Sequence, residues 1–190
     1  MRSSNDDAGT AINGERDGAS GDDRKARLAQ TNFWDELLAL RDRQRAERAG
    51  GMQVLKARDL PVETNRQGLM RWYMHPEIKD TVLSTYLCFE QQIPPGSRSG
   101  RVKFQGGQVI YVIAGRGHTF IDGVKHTWAA GDVINLPLRR GGIVVQHHND
   151  DPEVPVRFLA VEPNLFACTS VDRGSGFEQL EDAPEYRRPS

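Results

Sequence analysis

The pattern of apolar and polar residues is strand-like through the middle of the chain. Between about Gly68 and Val161, short apolar or alternating runs recur, among them QVIYVIAG, HTFIDG, DVINLP, GIVVQHHN and VRFLAVE. Turn-forming segments such as PPG, AGRG and AAGD separate these runs. Short strands divided by turn signals are typical of a β-sandwich or a β-barrel. We therefore predict an all-β domain over residues 68–165.

A helical pattern precedes these strands. Asn32 is a good N-cap, Asp35 lies in the first turn, and Gly50 and Gly51 end the pattern. The apolar residues crowd the first two turns, which predicts that this half of the helix packs on the body of the chain or on a second subunit. Residues 29–67 are thus interpreted as an N-terminal helix and a connecting arm.

The two ends of the chain have a different composition. Residues 1–28 are rich in Gly, Ser, Asp and Arg and nearly lack large apolar side chains, which predicts a disordered tail. Residues 166–190 have little periodicity. We expect this C-terminal extension to pack on the barrel, anchored by Phe166 and Phe177.

Composition and charge narrow the choice of partners. The chain has 190 residues, of which 37% are hydrophobic, enough for one domain with extensions. Its 25 basic and 26 acidic residues nearly cancel, so no electrostatic footprint for nucleic acid or an anionic membrane is present. A small-molecule or protein partner is expected instead. The lack of a long apolar run and the isolated Cys88 and Cys168 predict a cytoplasmic protein with reduced thiols.

Two glycine-punctuated motifs add a family resemblance. In PPGSRSGRVKFQGGQVIYVIAGRG, Gly96 is followed at fixed spacings by Val102, Phe104, Gln108 and Gly115. The second motif begins at Gly131, continues through Pro137 and Gly142, and places Val145 and Asn149 at its end. Both spacings, and the GRGHTFIDG segment between them, resemble the cupin superfamily. The resemblance implies an antiparallel jelly-roll barrel, here with an N-terminal helix and extended arms.

The same resemblance bears on metal binding. Metal-binding cupins carry three histidines and a glutamate at the positions that Val102, Phe104, Gln108 and Val145 occupy here, and this ligand set holds Fe, Mn, Ni or Zn. Valine and phenylalanine have no lone pair to offer, and the Gln108 amide is a poor, neutral ligand. We therefore predict no metal and no other cofactor at this site.

Strand alternation indicates what replaces a metal centre. Val102 and Phe104 share one face of a strand, and Val145, His147 and Asn149 share one face of another. We predict that Gln108 and His147 are catalytic and that Val102, Phe104, Val145 and Asn149 bind substrate. A mostly apolar surface with a few polar groups is typical of a small-ligand pocket. A filled barrel core has the same composition, and this alternative stays open.

Further polar residues lie before and between the strands. In RWYMHP, Arg71 and Tyr73 are predicted to bind substrate at the barrel mouth, the alternative being an arm that packs on a partner subunit. His118 and His126, on either side of the Asp122–Gly123 turn, are predicted to be exposed, and His148 is predicted to face outward. A displaced metal site using His118, His126 and His147 is a second alternative.

Three functions follow from these observations. The chain is similar to small cupins of the gentisate-dioxygenase-like kind, which cleave aromatic rings with Fe(II). Our first hypothesis is metal-independent acid/base chemistry of the isomerase, lyase or cyclase type on a hydrophobic or aromatic small molecule. The second is a non-catalytic binding or accessory protein, which predicts a pocket without a titrating residue of perturbed pKa. The third is an Fe(II) dioxygenase with an unusual ligand set. Cupins commonly pair through sheet edges, so a homodimer is expected.

Overall fold

The computed structural model describes residues 21–165 and 178–187 and divides into two units after Gln44. The first unit contains helix α1 (Gly21–Ala29) and most of helix α2 (Phe33–Ala49). The second unit contains the remaining elements, which are a short 3-10 helix (Ala57–Asp59) and eleven β-strands among the described residues. None of the described helices is long and apolar enough to cross a membrane.

Helix α1 corrects the predicted extent of the disordered tail. Residues 21–28 were assigned to that tail, but they are helical. Asp22 and Asp23 lie in the first turn and Arg27 in the last, so the charges complement the helix dipole and favour the helix without any buried side chain.

Helix α2 begins and ends where the sequence predicts. The Asn32 side-chain oxygen accepts a hydrogen bond from the Asp35 backbone N–H, and the helix stops at Ala49, immediately before the glycine pair. Phe33, Trp34 and Leu37 remain 57–68% exposed. The predicted packing of this half of the helix, on the body of the chain or on a second subunit, stays a prediction.

The strands form two antiparallel sheets, which confirms the predicted all-β jelly-roll architecture. The first sheet has the order β1 (Glu63–Asn65), β2 (Gly68–Met74), β3 (Tyr86–Ile93), β10 (Val156–Pro163), β5 (Val109–Ala114) and β8 (Val133–Asn135). The second has the order β11 (Glu178–Glu181), β4 (Arg101–Phe104), β9 (Ile143–Asn149), β6 (Arg116–Ile121) and β7 (Val124–Ala129).

The core follows from alternation along the central strands. On β10, Val156, Phe158 and Ala160 point inward and are fully buried. They join Ile110 of β5 and Ile143 of β9 in one apolar cluster. Each large buried side chain contributes about 1.5–3 kcal/mol relative to an exposed one, so this cluster holds the two sheets together.

The C-terminal extension contributes a strand that the sequence did not predict. β11 pairs with the edge strand β4, with Gln179 opposite Val102. Similarly, β1 starts before residue 68, where the barrel was predicted to begin. The proposed anchors Phe166 and Phe177 lie outside the described residues.

Candidate functional site

A cavity of about 570 Å³ opens within the barrel. The first sheet supplies one apolar wall, made of Met70, Trp72, Leu87 and Phe89. Trp72 and Phe89 are in contact, with ring centroids 4.9 Å apart. The second sheet supplies the other wall, made of Val102, Phe104 and Val145. The volume lies inside the range of about 300–1,000 Å³ that is typical of small-molecule pockets, so the barrel is not completely filled by its own side chains.

The four motif positions come together in this cavity. Val102 of β4 is the register partner of Val145 of β9, and both line the cavity with Phe104 and Gln108. His147, two residues after Val145, lines it as well, as strand alternation requires.

These residues do not fit a metal ion of the kind that cupins bind. Three of the four positions carry hydrocarbon side chains, and the fourth is an amide whose nitrogen donates a hydrogen bond. Within residues 21–165 and 178–187, no group of three or more His, Cys, Asp and Glu side chains is arranged to hold a metal.

His147 is held by a buried polar chain. Its Nδ1 lies 2.7 Å from Thr119 Oγ1, and Trp128 Nε1 donates to the same hydroxyl oxygen at 2.9 Å. The His147 backbone N–H donates to Ser99 Oγ. Burial lowers the pKa of His147 to about 3, and repulsion from the neighbouring His148 acts in the same direction. The imidazole is therefore neutral at physiological pH, and its predicted catalytic role stays a prediction.

The carboxyl group of Glu162 was missed at the sequence level. Glu162 continues the inward series of Val156, Phe158 and Ala160 on β10, lines the cavity and is only 6% exposed. Burial raises its pKa to about 7. Gln108 Nε2 donates to its Oε2 at 3.0 Å and acts in the opposite direction, because it stabilises the carboxylate. The alternation on β10 was the signal that could have identified it.

Arg71 and Tyr73 lie away from the cavity, which corrects their predicted role. Both side chains are on the opposite face of β2, where the buried carboxylate of Glu90 accepts hydrogen bonds from Arg71 Nη1 at 2.9 Å and Tyr73 Oη at 3.4 Å. Trp72 and His75 of the same segment line the cavity instead.

Asn149 has a structural role rather than the predicted substrate contact. Its buried Nδ2 donates to the backbone carbonyls of Ile93, Pro94 and Val154. These hydrogen bonds connect the end of β9 to two neighbouring loops. They use both hydrogens of the amide nitrogen, so none is left for a ligand.

Two of the remaining histidines form a stacked pair on the outer face of the second sheet. His118 is buried rather than exposed as predicted, because its Nδ1 contacts both oxygens of Asp150 at 2.8 Å and its ring stacks on His148 at 4.6 Å. His126 is exposed. Neither His118 nor His126 lines the cavity beside His147, so the displaced metal site is not assembled there.

Comparison with known proteins identifies the fold. No protein-family model matches the chain, and no curated protein matches it. Among solved structures, it is similar to the polyketide cyclase RemF from Streptomyces resistomycificus, with 15% identity over 70% of this chain and 89% of that one and a TM-score of 0.52. It is also similar to a salicylate 1,2-dioxygenase from Pseudaminobacter salicylatoxidans, with 15% identity, 63% of this chain covered and a TM-score of 0.50. An oxalate decarboxylase from Bacillus subtilis gives 17% identity, 65% coverage and the same TM-score of 0.50.

The similarity to these solved structures concerns the fold. The match spans 32% of the dioxygenase chain and 31% of the decarboxylase chain. The chain therefore has the cupin fold, as the two sequence motifs predict. Since one fold hosts many chemistries, function has to be argued from the cavity itself.

Proposed function

We propose that this protein is a metal-independent enzyme that transfers a proton to or from a hydrophobic or aromatic small molecule, with Glu162 as the acid/base. The observation that carries this proposal is a carboxyl group with a pKa of about 7 in the wall of an apolar cavity. A general base is most effective when its pKa lies near the operating pH.

The same observation favours an enzyme over a binding protein. A buried carboxyl group costs free energy unless it is well paired, and Glu162 has only the Gln108 amide as a hydrogen-bond partner among the described residues. A site that only binds an apolar molecule has no need of this group. A site that transfers protons needs such a group, because a poorly stabilised carboxylate is a stronger base than an exposed one.

The cavity suggests a specific division of labour. The Glu162 carboxylate takes a proton from a carbon next to a ligand carbonyl, and the electrons of the C–H bond move to the carbonyl oxygen to form an enolate. Gln108 holds the carboxylate in place. The neutral His147 imidazole offers an N–H to the developing oxyanion. The protonated Glu162 then returns the proton to carbon or oxygen.

Isomerisation, cyclisation and lyase reactions all begin with such a proton transfer. The polyketide cyclase RemF shows that a cyclase can have this fold. The aromatic wall of Trp72 and Phe89 supports a ring-containing substrate, and hence a place in aromatic compound metabolism.

A homodimer is part of the proposal. The outer face of the first sheet exposes Val109, Tyr111 and Val133, each about half exposed, and the register places Tyr111 opposite both Val133 and Leu159. A contiguous apolar sheet face is a typical protein contact surface.

The proton-transfer activity can be tested with 2-tetralone, an uncharged two-ring ketone with acidic C–H groups. We expect the protein to accelerate exchange of these protons in D2O, followed by proton NMR, and to keep this activity after chelator treatment and dialysis. Glu162→Gln keeps the shape of the side chain but removes the base, so it should lower the exchange rate by about 10²–10⁴-fold.

The matched control is Glu77→Gln, because Glu77 is an exposed carboxylate at the edge of the same cavity. It should leave the rate unchanged. No acceleration by the wild-type protein, equal rates in Glu162→Gln and wild type, or activity that depends on added metal would each contradict the proposal.

A further inference from the structure

The hydrogen bonds around Thr119 determine which nitrogen of His147 carries the proton. Trp128 Nε1 can only donate, so the Thr119 oxygen accepts its hydrogen bond. Thr119 is completely buried, and its own hydroxyl proton needs an acceptor. His147 Nδ1, at 2.7 Å, is the acceptor that the described residues provide. Nδ1 is therefore unprotonated, and the neutral ring carries its proton on Nε2.

This Nε2–H is a donor for a ligand. His147 lines the cavity, and its ring packs against Phe158 with centroids 5.0 Å apart. Among the described residues, no acceptor is hydrogen-bonded to Nε2. A ligand oxygen that accepts a hydrogen bond from this N–H pairs a donor that none of the described residues pairs.

The charges around the cavity disfavour an anionic ligand. Arg66 is the one lysine or arginine among the lining residues of the described chain, and it is exposed in the β1–β2 turn. The acidic Glu162 lies in the wall among mostly apolar side chains, and the exposed Glu77, also acidic, lies at the edge of the cavity. An anion placed here would lose its hydration, gain no counterion and be repelled by the Glu162 carboxylate.

We propose that the cavity binds an uncharged, ring-containing ligand that presents a carbonyl or similar acceptor oxygen to His147 Nε2–H, and that it discriminates against carboxylates of the same shape. This inference rests on the proposed function and specifies its substrate class. It sets the cavity apart from a site for an acid such as salicylate or oxalate, the compounds named for two proteins of similar fold.

Three isosteric probes test the inference by calorimetric titration at pH 8. They are 2-acetonaphthone, which is neutral, 2-naphthoate, which is an anion, and 2-naphthylmethylammonium, which is a cation. We expect the ketone to bind at least about tenfold more tightly than the carboxylate, a difference of about 1.4 kcal/mol. Equal or tighter binding of the carboxylate, tightest binding of the ammonium ion, or no binding of the ketone would overturn the inference.

A variant locates the source of the discrimination. Glu162→Gln removes the repelling charge, so the affinity ratio between ketone and carboxylate should narrow while the affinity for the ketone changes little. Glu77→Gln, which removes an exposed charge at the edge of the cavity, should leave the ratio unchanged. An unchanged ratio in Glu162→Gln would overturn the assignment of the discrimination to the Glu162 charge.

The His147 tautomer has its own readout. Nitrogen NMR of the histidine-labelled protein should show His147 with Nδ1 unprotonated and Nε2 protonated, and Thr119→Val should perturb this assignment because the donor to Nδ1 is lost. The opposite tautomer in the wild-type protein would overturn the inference. If ketone selectivity or the expected tautomer is not found but the protein still accelerates proton exchange in 2-tetralone, only this inference is wrong and the proposed function is retained. Selective ketone binding without exchange would remove the proposed function alone.

Discussion

Glu162 and His147 line one cavity, and burial shifts their pKa values in opposite directions by the same mechanism. Burial disfavours the charged form of each, so it raises the pKa of the Glu162 acid and lowers that of the His147 base. As a result, both groups are neutral in mildly acidic solution. Near neutrality Glu162 alone changes its charge. This separation supports the proposed roles, which are proton transfer by the carboxyl group and hydrogen bonding by the imidazole.

The raised pKa of Glu162 has a consequence for stability. Its ordinary pKa is 4.5 and its pKa in the folded protein is about 7, so the folded state binds a proton more tightly than the unfolded state does. Stability associated with this group is fully present below pH 4.5 and is lost as pH rises to about 7, by a few kcal/mol at about 1.4 kcal/mol per pKa unit.

Glu162→Gln should therefore raise the free energy of unfolding at pH 8 and leave it almost unchanged at pH 4, as measured by urea denaturation. Glu77→Gln, at an exposed site, should have little effect at either pH. An equal gain at both values of pH would show that the effect comes from packing rather than from ionisation.

The limits of sequence reasoning are clearest for individual side chains. Val102, Phe104 and Val145 line one cavity because the hydrogen-bonded pair of β4 and β9 fixes their faces. Gln108, which precedes β5, lines the same cavity, and the predicted roles of all four residues stay predictions. The faces of Arg71 and Tyr73 could not be predicted, since the partner of both residues is Glu90, on the neighbouring strand. Glu162 was overlooked because it lies outside the motifs, although its strand alternates regularly.

At the scale of elements, the turn between β5 and β6 depends on a motif glycine. Gly115 has φ +86°, and a Cβ there would lie 2.9 Å from Val156 Cα. Gly123, with φ +83°, has open space around it, so alanine there meets backbone strain alone. That strain costs about 1–3 kcal/mol.

Gly115→Ala should destabilise the protein by more than Gly123→Ala, because steric overlap with β10 adds to the same backbone strain. Thermal or urea unfolding of both variants measures the difference. Equal losses of stability in the two variants would show that the β10 backbone moves away from the new methyl group at no cost in free energy. The close contact would then not be the reason that glycine is required at position 115.

Elements with strong local signals were predictable, and those that depend on distant pairing were not. The turns PPG, AGRG and DG mark most barrel strands, and Asn32 and Gly50 mark helix α2. β11 has the polar sequence EQLE and becomes a strand by pairing with β4. Because that pairing joins segments that are far apart in the chain, no local sequence pattern predicts it.

At the scale of the whole molecule, the exposed sheet face predicts self-association. We expect light scattering coupled to size-exclusion chromatography to show a dimer, and Tyr111→Lys to shift it toward monomer by placing a charge in the contact. Val124→Lys is a matched control, since Val124 is also exposed but lies on β7 of the other sheet. A monomeric wild-type protein, or a dimer insensitive to Tyr111→Lys, would contradict this assignment.

The most direct test of the central claim is the ionisation of Glu162 itself. A carbon NMR titration of protein labelled at the glutamate carboxyl groups, with Glu162→Gln to assign the signal, gives its pKa without knowledge of the substrate. We expect a midpoint near pH 7, well above the ordinary value of 4.5. A midpoint near 4.5 would show that the cavity does not hold a poised acid/base and would contradict the proposed enzyme.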